Sequence, residues 1–295
     1  MVATAAGART IPRQRGADAS THRAVEAPLG SRCPTSARVH GDARYRARVC
    51  DQPALPDSRA PRPADPRSAA ARRRAGWGLA GALVATVLLT VAVAGDWAAV
   101  TRFDDALTSF TRDWADPLGW PVDVAHGIGL VTAPRWSTLA AVVIVVVLFL
   151  ARYRAAAGLL AVSAILGVAL TELAKTAVGR MRPPGAGQYE PDQDRSFPSG
   201  HSSAGIYLYL ATGVLLLQLG RARGDRAMTA VGWTLVVFGP SPGLTRLILG
   251  VHWPSDILAG WAFGSVGLLT GAVLLWWAVD AGWRRPEPDA EPAEA

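Results

Sequence analysis

The sequence predicts an all-α membrane protein, a bundle of six transmembrane helices that follows a disordered N-terminal tail. From Trp77 onward, apolar runs alternate with short polar breaks. A helix rises about 1.5 Å per residue, so a run of about 20 apolar residues is long enough to cross the hydrocarbon core of a bilayer. The mean hydropathy of +0.20 therefore averages two unlike parts, a polar tail and a very apolar body.

The predicted tail, residues 1–71, is basic, cytoplasmic and rich in Ala, Arg, Pro, Gly, Ser and Asp. Without a sustained apolar period it buries too little surface to offset the entropy lost on ordering. Residues 1–75 hold 15 arginines against 6 acidic residues, whereas the rest of the chain holds 15 basic against 17 acidic residues. The net charge of +7 therefore belongs to the tail, and we expect no nucleic-acid partner. The tail is either a solvated extension or, through Arg72–Arg74, a contact to anionic lipid headgroups.

Both cysteines, Cys33 and Cys50, lie in this tail. Their position excludes a disulfide scaffold, a Cys-rich zinc site and a cysteine nucleophile from the apolar body. Any catalytic or binding site in the body must therefore use other residue types.

The body, residues 72–285, divides into six predicted spans, and an acidic C-terminal tail follows at residues 286–295. The predicted spans are 77–95, 136–151, 155–174, 203–220, 229–250 and 256–279. The run 117–134 contains proline, aspartate and histidine and is predicted to lie at the membrane interface instead. In the last span, two pairs of glycines predict close helix packing inside the bundle. These pairs are Gly260/Gly264 and Gly267/Gly271.

The arginines predict the orientation of the spans. If Arg72–Arg74 lie in the cytoplasm, seven further arginines fall on the same side, and the aspartate-rich segment 96–135 falls on the opposite side. The seven are Arg152, Arg154, Arg221, Arg223, Arg226, Arg284 and Arg285. This distribution follows the positive-inside rule and predicts a multi-pass protein of the cell membrane with both termini in the cytoplasm.

Three polar stretches break the apolar pattern, and all three map to the predicted outer face. They are KTAVGRMRP at 175–183, SFPSGHS at 196–202 and TRLILGVHWPSD at 245–256. An ionisable group at membrane depth costs roughly 2.5–3.5 kcal/mol, so it requires a reason. Taken singly, each residue fits a structural polar group at a span end, such as Lys175 paired with Glu172 on the same helix face. Six ionisable residues converging from three loops indicate a functional site instead. They are Lys175, Arg182, His201, Arg246, His252 and Asp256.

The chemistry that this set supports is phosphoryl transfer without a metal or another cofactor. Lys175, Arg182 and Arg246 supply positive charge, and arginine forks suit bidentate phosphate recognition. The PSGH stretch turns the chain into a helix whose first N–H groups, near Ser199 and Gly200, can hold an anion. Donors and cations arranged in this way stabilise the charge that develops on a five-coordinate phosphorus.

Two histidines can then divide the covalent work, because one attacks phosphorus and the other protonates the leaving oxygen. Asp256 follows His252 by four residues, and Pro254 favours a helix that starts between them. The carboxylate can therefore accept a hydrogen bond from the imidazole and fix its tautomer. We predict His252 as the nucleophile and Asp256 as its orienting partner.

The three stretches resemble the signature blocks of the type 2 phosphatidic acid phosphatase superfamily. The matching patterns are K-x6-RP from Lys175 to Pro183, PSGH at 198–201 and R-x5-H-x3-D from Arg246 to Asp256. The blocks cover residues 175–256, and the six-span layout extends the resemblance to about residues 77–279. Two features depart from the pattern. Thr245 stands where the third block usually has serine, and GPSPG at 239–243 should kink the fifth span.

The resemblance implies a helical membrane phosphatase that acts on lipid phosphates or diphosphates through a phosphohistidine intermediate. It implies the same roles for His252 and Asp256 that the residues themselves suggest, and it implies that His201 is the general acid. It assigns phosphate binding to Lys175, Arg182, Ser199, Gly200 and Arg246. The implied partner is a lipid phosphate substrate in the membrane, and the oligomeric state stays open.

Three functions are compatible with such a site. The sequence favours a lipid phosphate or diphosphate phosphatase over a phosphotransferase with the same site and over a non-enzymatic protein that binds or moves phospholipid. Vanadium haloperoxidases also resemble the site, but they are soluble, and six predicted spans argue against them. The candidate substrates are polyprenyl diphosphate, phosphatidate, phosphatidylglycerol phosphate and polyprenyl phosphosugars. The loop 184–195, which includes Glu190, borders the site and is predicted to be solvated.

Overall fold

The structure, a computed structural model, describes residues 66–190 and 195–280, and this part of the chain is almost entirely helical. Its nine helices are α1 (Pro66–Ala94), α2 (Ala98–Ala115), α3 (Trp120–Val131), α4 (Pro134–Leu150), α5 (Arg154–Val178), α6 (Gly200–Arg223), α7 (Arg226–Phe238), α8 (Ser241–Ile248) and α9 (Pro254–Asp280). Within the same residues, the only β-pairing is an isolated bridge between Met181 and Arg195. The prediction of an all-α fold is therefore confirmed for the described chain.

Helix α1 begins earlier than the predicted end of the tail. Residues 66–71, which we expected to be disordered, form its first turns. Pro66 suits the first turn of a helix, and the alanines that follow have the highest helix propensity. The rest of the predicted tail and the acidic segment 286–295 lie outside the described residues.

Four helices are long and apolar enough to cross a membrane, and they are Ala69–Ala94, Arg154–Val178, Gly200–Arg223 and Pro254–Trp277. They coincide with the first, third, fourth and sixth predicted spans. Helices α3 and α4 pass the same criterion only as a pair, which is bent by 46° at the break between them. The prediction of six continuous spans is not confirmed, because the predicted span 229–250 is divided between two short helices, α7 and α8.

The break between α7 and α8 lies at the GPSPG stretch, where a kink was predicted. Pro240 and Pro242 have no N–H to donate to the preceding turn, so α7 ends at Phe238. The N–H of Gly239 makes the last bond of this helix, to the carbonyl of Leu235 at 2.9 Å. The Ser241 hydroxyl donates to the carbonyl of Phe238 at 2.7 Å and closes the break. The carbonyl of Gly239 lies against Gly205 of α6, where any side chain would overlap it. The new direction of α8 carries Arg246 into the interior, where only 4% of its surface is exposed.

Helix α9 is the centre of the bundle and packs against α1, α5 and the first turns of α6. A Cβ at Gly260 or Gly264 would lie 2.5 or 2.6 Å from the carbonyl oxygens of Ser199 and Ser203 in the α6 region. At Gly267 or Gly271 it would lie 2.5 or 2.8 Å from carbonyl oxygens of α5. These glycines therefore let backbones approach closely inside the bundle, as the sequence predicted.

Left-handed glycines follow α5 and α8, the two helices in which the first and third polar stretches begin. Gly179 has φ +62° and caps α5, and Gly250 has φ +62° and follows α8. Residues with a side chain rarely adopt this conformation, which reverses the chain at no steric cost to glycine. The turn at Gly179 directs the segment with Arg182 back over the bundle, and the turn at Gly250 places His252 just before α9.

We expect Gly264→Ala to lower the free energy of unfolding by about 1–3 kcal/mol, because a methyl group there meets the α6 backbone, which cannot rotate away. The measurement is thermal unfolding of the purified protein in detergent. The matched control is Gly81→Ala on α1, where a Cβ meets nothing within 4 Å. This control should be neutral or stabilising by up to about 1 kcal/mol. Equal stability of the two variants would contradict the close α6–α9 contact.

Candidate active site

The three polar stretches meet at one end of the bundle. The backbone N–H of Ser199 donates to the carbonyl of Asp256 at 3.0 Å, which joins the second stretch to the third. The Arg182 guanidinium donates to the carbonyl of Val251 at 2.7 Å, which joins the first to the third. A Cβ at Gly200 would lie 3.7 Å from Lys175 Nζ, so the first and second stretches also meet. The structure therefore brings the predicted site residues together.

His252 and Asp256 form a buried pair at the start of α9. His252 Nδ1 lies 3.5 Å from Asp256 Oδ2, and the two side chains are 2% and 0% exposed. This distance is longer than the usual hydrogen-bond range of about 2.7–3.2 Å. Within the described residues, Nδ1 has no hydrogen-bond partner. Asp256 Oδ2 also accepts the backbone N–H of Trp253 at 2.9 Å, as the third helical residue does in a capping box. The cap of α9 thus holds the carboxylate beside the imidazole.

Burial lowers the pKa of His252 below its ordinary value of 6.5, although the Asp256 carboxylate opposes that shift. The neutral imidazole is therefore the favoured form near pH 7. When Nδ1 faces the carboxylate, a neutral ring with its proton on Nδ1 keeps a lone pair on Nε2. That lone pair is what a nucleophile requires.

His201 lies in the first turn of α6 and is 5% exposed. Its Nε2 is 3.2 Å from the carbonyl oxygen of Gly129 in α3. A carbonyl oxygen only accepts, so Nε2 carries the proton in this contact. The charged groups of Arg182 and Arg246 and the His252 ring are close enough to act on His201 electrostatically. His201 therefore lies beside the cationic part of the site with a proton on Nε2.

Helix α3 forms one wall of the site, which the sequence did not reveal. The carbonyl of Ala125 accepts from Arg246 Nη2 at 3.3 Å. A Cβ at Gly129 would overlap the Arg246 guanidinium, so a glycine is required for this approach. Nothing in the local pattern of residues 117–134 marks Gly129, because its partners lie 72 residues or more along the chain.

The start of α6 has the features of an anion-binding helix N-terminus. Ser199 is fully buried, and its hydroxyl oxygen caps the helix by accepting the N–H of Ser202 at 3.4 Å. The next two N–H groups, of Gly200 and His201, have no carbonyl one turn earlier within the helix. Lys175 Nζ lies beside this turn and also pairs with Glu172 Oε1 at 3.1 Å. The structural partner that the sequence offered for Lys175 is thus present, and the lysine still reaches the site.

Glu190 occupies the space between the two arginines that were predicted to bind phosphate. Its Oε2 lies 2.6 Å from Arg182 Nη2, and its Oε1 lies 3.1 Å from Arg246 Nη1. The three side chains are only 4–8% exposed. The prediction that this loop is solvated is therefore wrong at Glu190, because the two arginines draw its carboxylate into the site. Sequence reasoning had no signal for the pairing of Glu190 with Arg246, which lie 56 positions apart.

Thr245, where the family pattern usually has serine, supports Arg246 through its hydroxyl. Thr245 Oγ1 accepts from Arg246 Nε at 3.2 Å and donates to the carbonyl of Pro242 at 2.8 Å. The extra methyl group is accommodated in a buried position. The hydroxyl that the two residue types share is therefore the part that contacts the site.

Comparison with known proteins identifies relatives of this region. An undecaprenyl-diphosphatase of Sulfolobus acidocaldarius is 30% identical over 111 residues, which cover 36% of this chain and 48% of the relative. A lipid A 1-phosphatase of Rhizobium etli is 35% identical over 140 residues, which cover 41% and 55%. A decaprenylphosphoryl-5-phosphoribose phosphatase of Mycobacterium tuberculosis is 34% identical over 109 residues, which cover 36% and 54%. The chain thus spans about half the length of these curated relatives.

The fold has a solved counterpart in a transmembrane PAP2-type phosphatidylglycerolphosphate phosphatase from Bacillus subtilis. The two structures superpose with a TM-score of 0.55 at 23% identity, over 71% of this chain and 98% of that one. This likeness, together with the long apolar helices, identifies the protein as a membrane protein. Residues 156–283, which contain all three polar stretches, match the PAP2 superfamily. Over these residues, the chain is therefore similar to proteins of the PAP2 superfamily.

Proposed function

We propose that the protein is a membrane phosphatase that hydrolyses lipid phosphates or diphosphates through a phosphohistidine intermediate on His252. The observation that carries this proposal is a pair of arginines that binds a carboxylate beside the proposed nucleophile. Arg182 and Arg246 hold the Glu190 carboxylate at 2.6 and 3.1 Å, next to the buried His252–Asp256 pair. A group that binds carboxylate oxygens in this way has the donors and the charge to bind phosphate oxygens.

In the first step, phosphate oxygens accept hydrogen bonds from Lys175, Arg182, Arg246 and the first N–H groups of α6. His252 Nε2 attacks phosphorus, the N–P bond forms, and the bond from phosphorus to the leaving oxygen breaks. His201 gives its proton to that oxygen. Asp256 stabilises the positive charge that develops on the His252 ring. No metal ion is required, because the cationic side chains carry the charge that the phosphoryl group develops.

In the second step, water replaces the lipid product. His201, now neutral, takes a proton from the water, whose oxygen attacks phosphorus as the N–P bond breaks. Phosphate leaves, and His252 is regenerated. An acceptor alcohol in place of water would give the alternative function, a lipid phosphotransferase, and the geometry favours neither nucleophile.

The substrate is proposed to be a phosphate or diphosphate on an envelope lipid. The names of the relatives support this class, since they describe enzymes that act on undecaprenyl diphosphate, lipid A and decaprenylphosphoryl-5-phosphoribose. Two of the three names refer to polyprenyl lipids, so polyprenyl substrates are the first to test. Phosphatidate and phosphatidylglycerol phosphate carry the same phosphomonoester and follow.

We also propose that the chain crosses the membrane six times, with α7 and α8 together forming one broken passage. Helix α5 ends at the site with Lys175, and α6 begins there and leads away to Arg223. Helix α9 begins at the site again, so α7 and α8 must bring the chain back. Pro134 at the start of α4 lies beside Gly200, so α4 leads away as well. Helix α1 leads toward α2, whose Asp104 contacts the start of α9.

An even number of passages puts both ends of the described chain on the side opposite the site. Arg72–Arg74, Arg152, Arg154, Arg221 and Arg223 lie toward that side in this arrangement, so the positive-inside rule supports a cytoplasmic location for it. The site is then extracytoplasmic, with the lipid headgroup in the pocket and its chains in the bilayer.

The test is phosphate release by the purified protein in detergent, across this panel of lipids, with and without EDTA. We expect release that persists in EDTA and falls at least about 1,000-fold in His252→Ala, because the nucleophile is lost. His126→Ala, an exposed histidine outside the three stretches, is the matched control. Label from a ³²P-substrate should appear on the peptide that contains His252 and should be stable to alkali but not to acid.

Four outcomes would contradict the proposal. Equal release by His252→Ala would show that His252 is not the nucleophile. Release abolished by EDTA would show that the mechanism requires a metal ion. A new phosphoester instead of free phosphate, in the presence of an acceptor alcohol, would favour the phosphotransferase. Lipid binding without any turnover would favour the non-enzymatic alternative.

Thr245→Val should lower kcat/KM by about 10–100-fold, because it leaves a buried guanidinium without a charge-assisted hydrogen bond worth about 1.5–3 kcal/mol. Thr245→Ser keeps the hydroxyl and should stay within about 3-fold of the parent protein. Both values come from initial rates with the best lipid substrate. If valine and serine give the same kcat/KM, the hydroxyl does not support Arg246.

Glu190→Gln should strengthen competitive inhibition by inorganic phosphate, lowering its Ki about 10-fold. The carboxylate competes with phosphate for the two arginines, and the neutral amide competes less. Asp113→Asn, an exposed acid of the outer segment, removes the same charge and should leave Ki unchanged. A weaker inhibition in Glu190→Gln would mean that Glu190 holds the arginines in place for phosphate rather than competing with it.

A further inference from the structure

Arg180 lies inside the first polar stretch but was not among the predicted site residues. Its Nη1 donates to Asp256 Oδ1 at 2.8 Å and to Ser255 Oγ at 2.7 Å. Its Nη2 donates to Asp104 Oδ2 at 2.6 Å. The ring of Trp253 covers the guanidinium, with its centroid 5.3 Å from Cζ. Arg180 therefore joins α2 to the first turn of α9, and it touches the partner of the proposed nucleophile directly.

Asp104 comes from α2 and is 1% exposed. Its Oδ1 accepts the backbone N–H of Ser255 at 2.8 Å, and its Oδ2 accepts the Ser255 hydroxyl at 2.6 Å. The N–H of Ser255 is one of the groups that a helix N-terminus leaves without an intrahelical partner. Asp104 thus caps α9 from a different helix and holds Arg180 at the same time.

The Asp256 carboxylate is held at both oxygens. Oδ1 accepts from Arg180, and Oδ2 accepts from the Trp253 N–H and faces His252 Nδ1. Asp256 and Asp104 are 0% and 1% exposed, and two buried carboxylates this close require a cation between them. Arg180 supplies that cation and a planar fork that reaches both carboxylates.

We propose that Arg180, held by Asp104, is a positioning residue that keeps the Asp256 carboxylate turned toward His252. The inference rests on the proposed function of His252, and it assigns Arg180 no contact with phosphate. Arg182, two residues later, contacts Glu190 and Val251 instead. The two arginines of this short segment thus have different roles around His252. Arg180 contacts the carboxylate that orients the histidine, and Arg182 is proposed to bind the phosphate that the histidine attacks.

His252 faces Asp256 from the loop before α9, Arg180 and Arg182 from the segment after α5, and Asp104 from α2 through Arg180. Without the Arg180 fork, Asp256 Oδ1 loses the donor that fixes the orientation of the carboxylate. A carboxylate that can turn away from His252 Nδ1 stabilises a charged His252 ring less well, so activity should fall.

The first test separates kcat from KM. Arg180→Gln should lower kcat about 100-fold, because a misoriented nucleophile loses rate while phosphate binding is untouched. KM and the Ki of inorganic phosphate should stay within about 3-fold. Arg180→Lys keeps the charge but not the fork, so it should also lower kcat.

The controls address folding and charge. Arg135→Gln removes an exposed arginine that lies over the ring of its neighbour Trp136, and it should match the parent protein in every reading. Asp104→Asn keeps an acceptor for the Ser255 N–H but loses the charge that holds Arg180, and it should lower kcat about 10-fold. Thermal unfolding in detergent identifies any variant that fails to fold.

A second measurement does not depend on turnover. The ¹⁵N chemical shifts of His252, assigned with His252→Ala, report its tautomer in the protein without substrate. The parent protein and Arg135→Gln should hold the proton on Nδ1, and Arg180→Gln should show a mixture of tautomers. An unchanged tautomer in Arg180→Gln would overturn the inference, as would an unchanged kcat. If no lipid is hydrolysed by the parent protein, the proposed function fails, and the tautomer still decides the role of Arg180.

Discussion

The arrangement of the site depends on one interaction, the Arg180 guanidinium between the buried carboxylates of Asp104 and Asp256. It fixes the point at which α9 begins, because both carboxylates also accept backbone N–H groups of that first turn. It holds the amphipathic α2 against the bundle, and it sets the face of Asp256 that meets His252. Two buried acids and one base form a group in which each charge is stable only while the others are present.

Close backbone contacts let helices of different sequence positions bring their ends to one place. Gly260 and Gly264 on α9 admit the α6 backbone, so the PSGH turn lies directly on the first turn of α9. Gly129 likewise lets the Arg246 guanidinium lie against the backbone of α3. Since helix ends carry unpaired N–H groups and partial charge, several ends at one point create an environment suited to anions. The same close contacts therefore pack the core and bring the residues of the site together.

The cationic pocket contains an anion of its own in Glu190. Two buried arginines without a counter-ion would pay a large desolvation cost, and the Glu190 carboxylate offsets it. In the proposed function, a phosphate group therefore exchanges with a carboxylate rather than filling an unbalanced pocket. Such an exchange keeps the local charge nearly constant, which limits the reorganisation that binding requires.

The sequence by itself determined the helical class, the proline break before α8, the glycine contacts of α9 and the three stretches that form the site. These features are local, because apolar period, proline, glycine and residue spacing act within a few turns of the chain. Only the tertiary structure decided that Glu190 enters the pocket, that α3 forms a wall, and that Asp104 and Arg180 hold Asp256. Apart from the Arg182–Glu190 pair, these contacts join residues 56 or more positions apart. Their pairing follows from which backbones pack together, and no spacing along the chain encodes it.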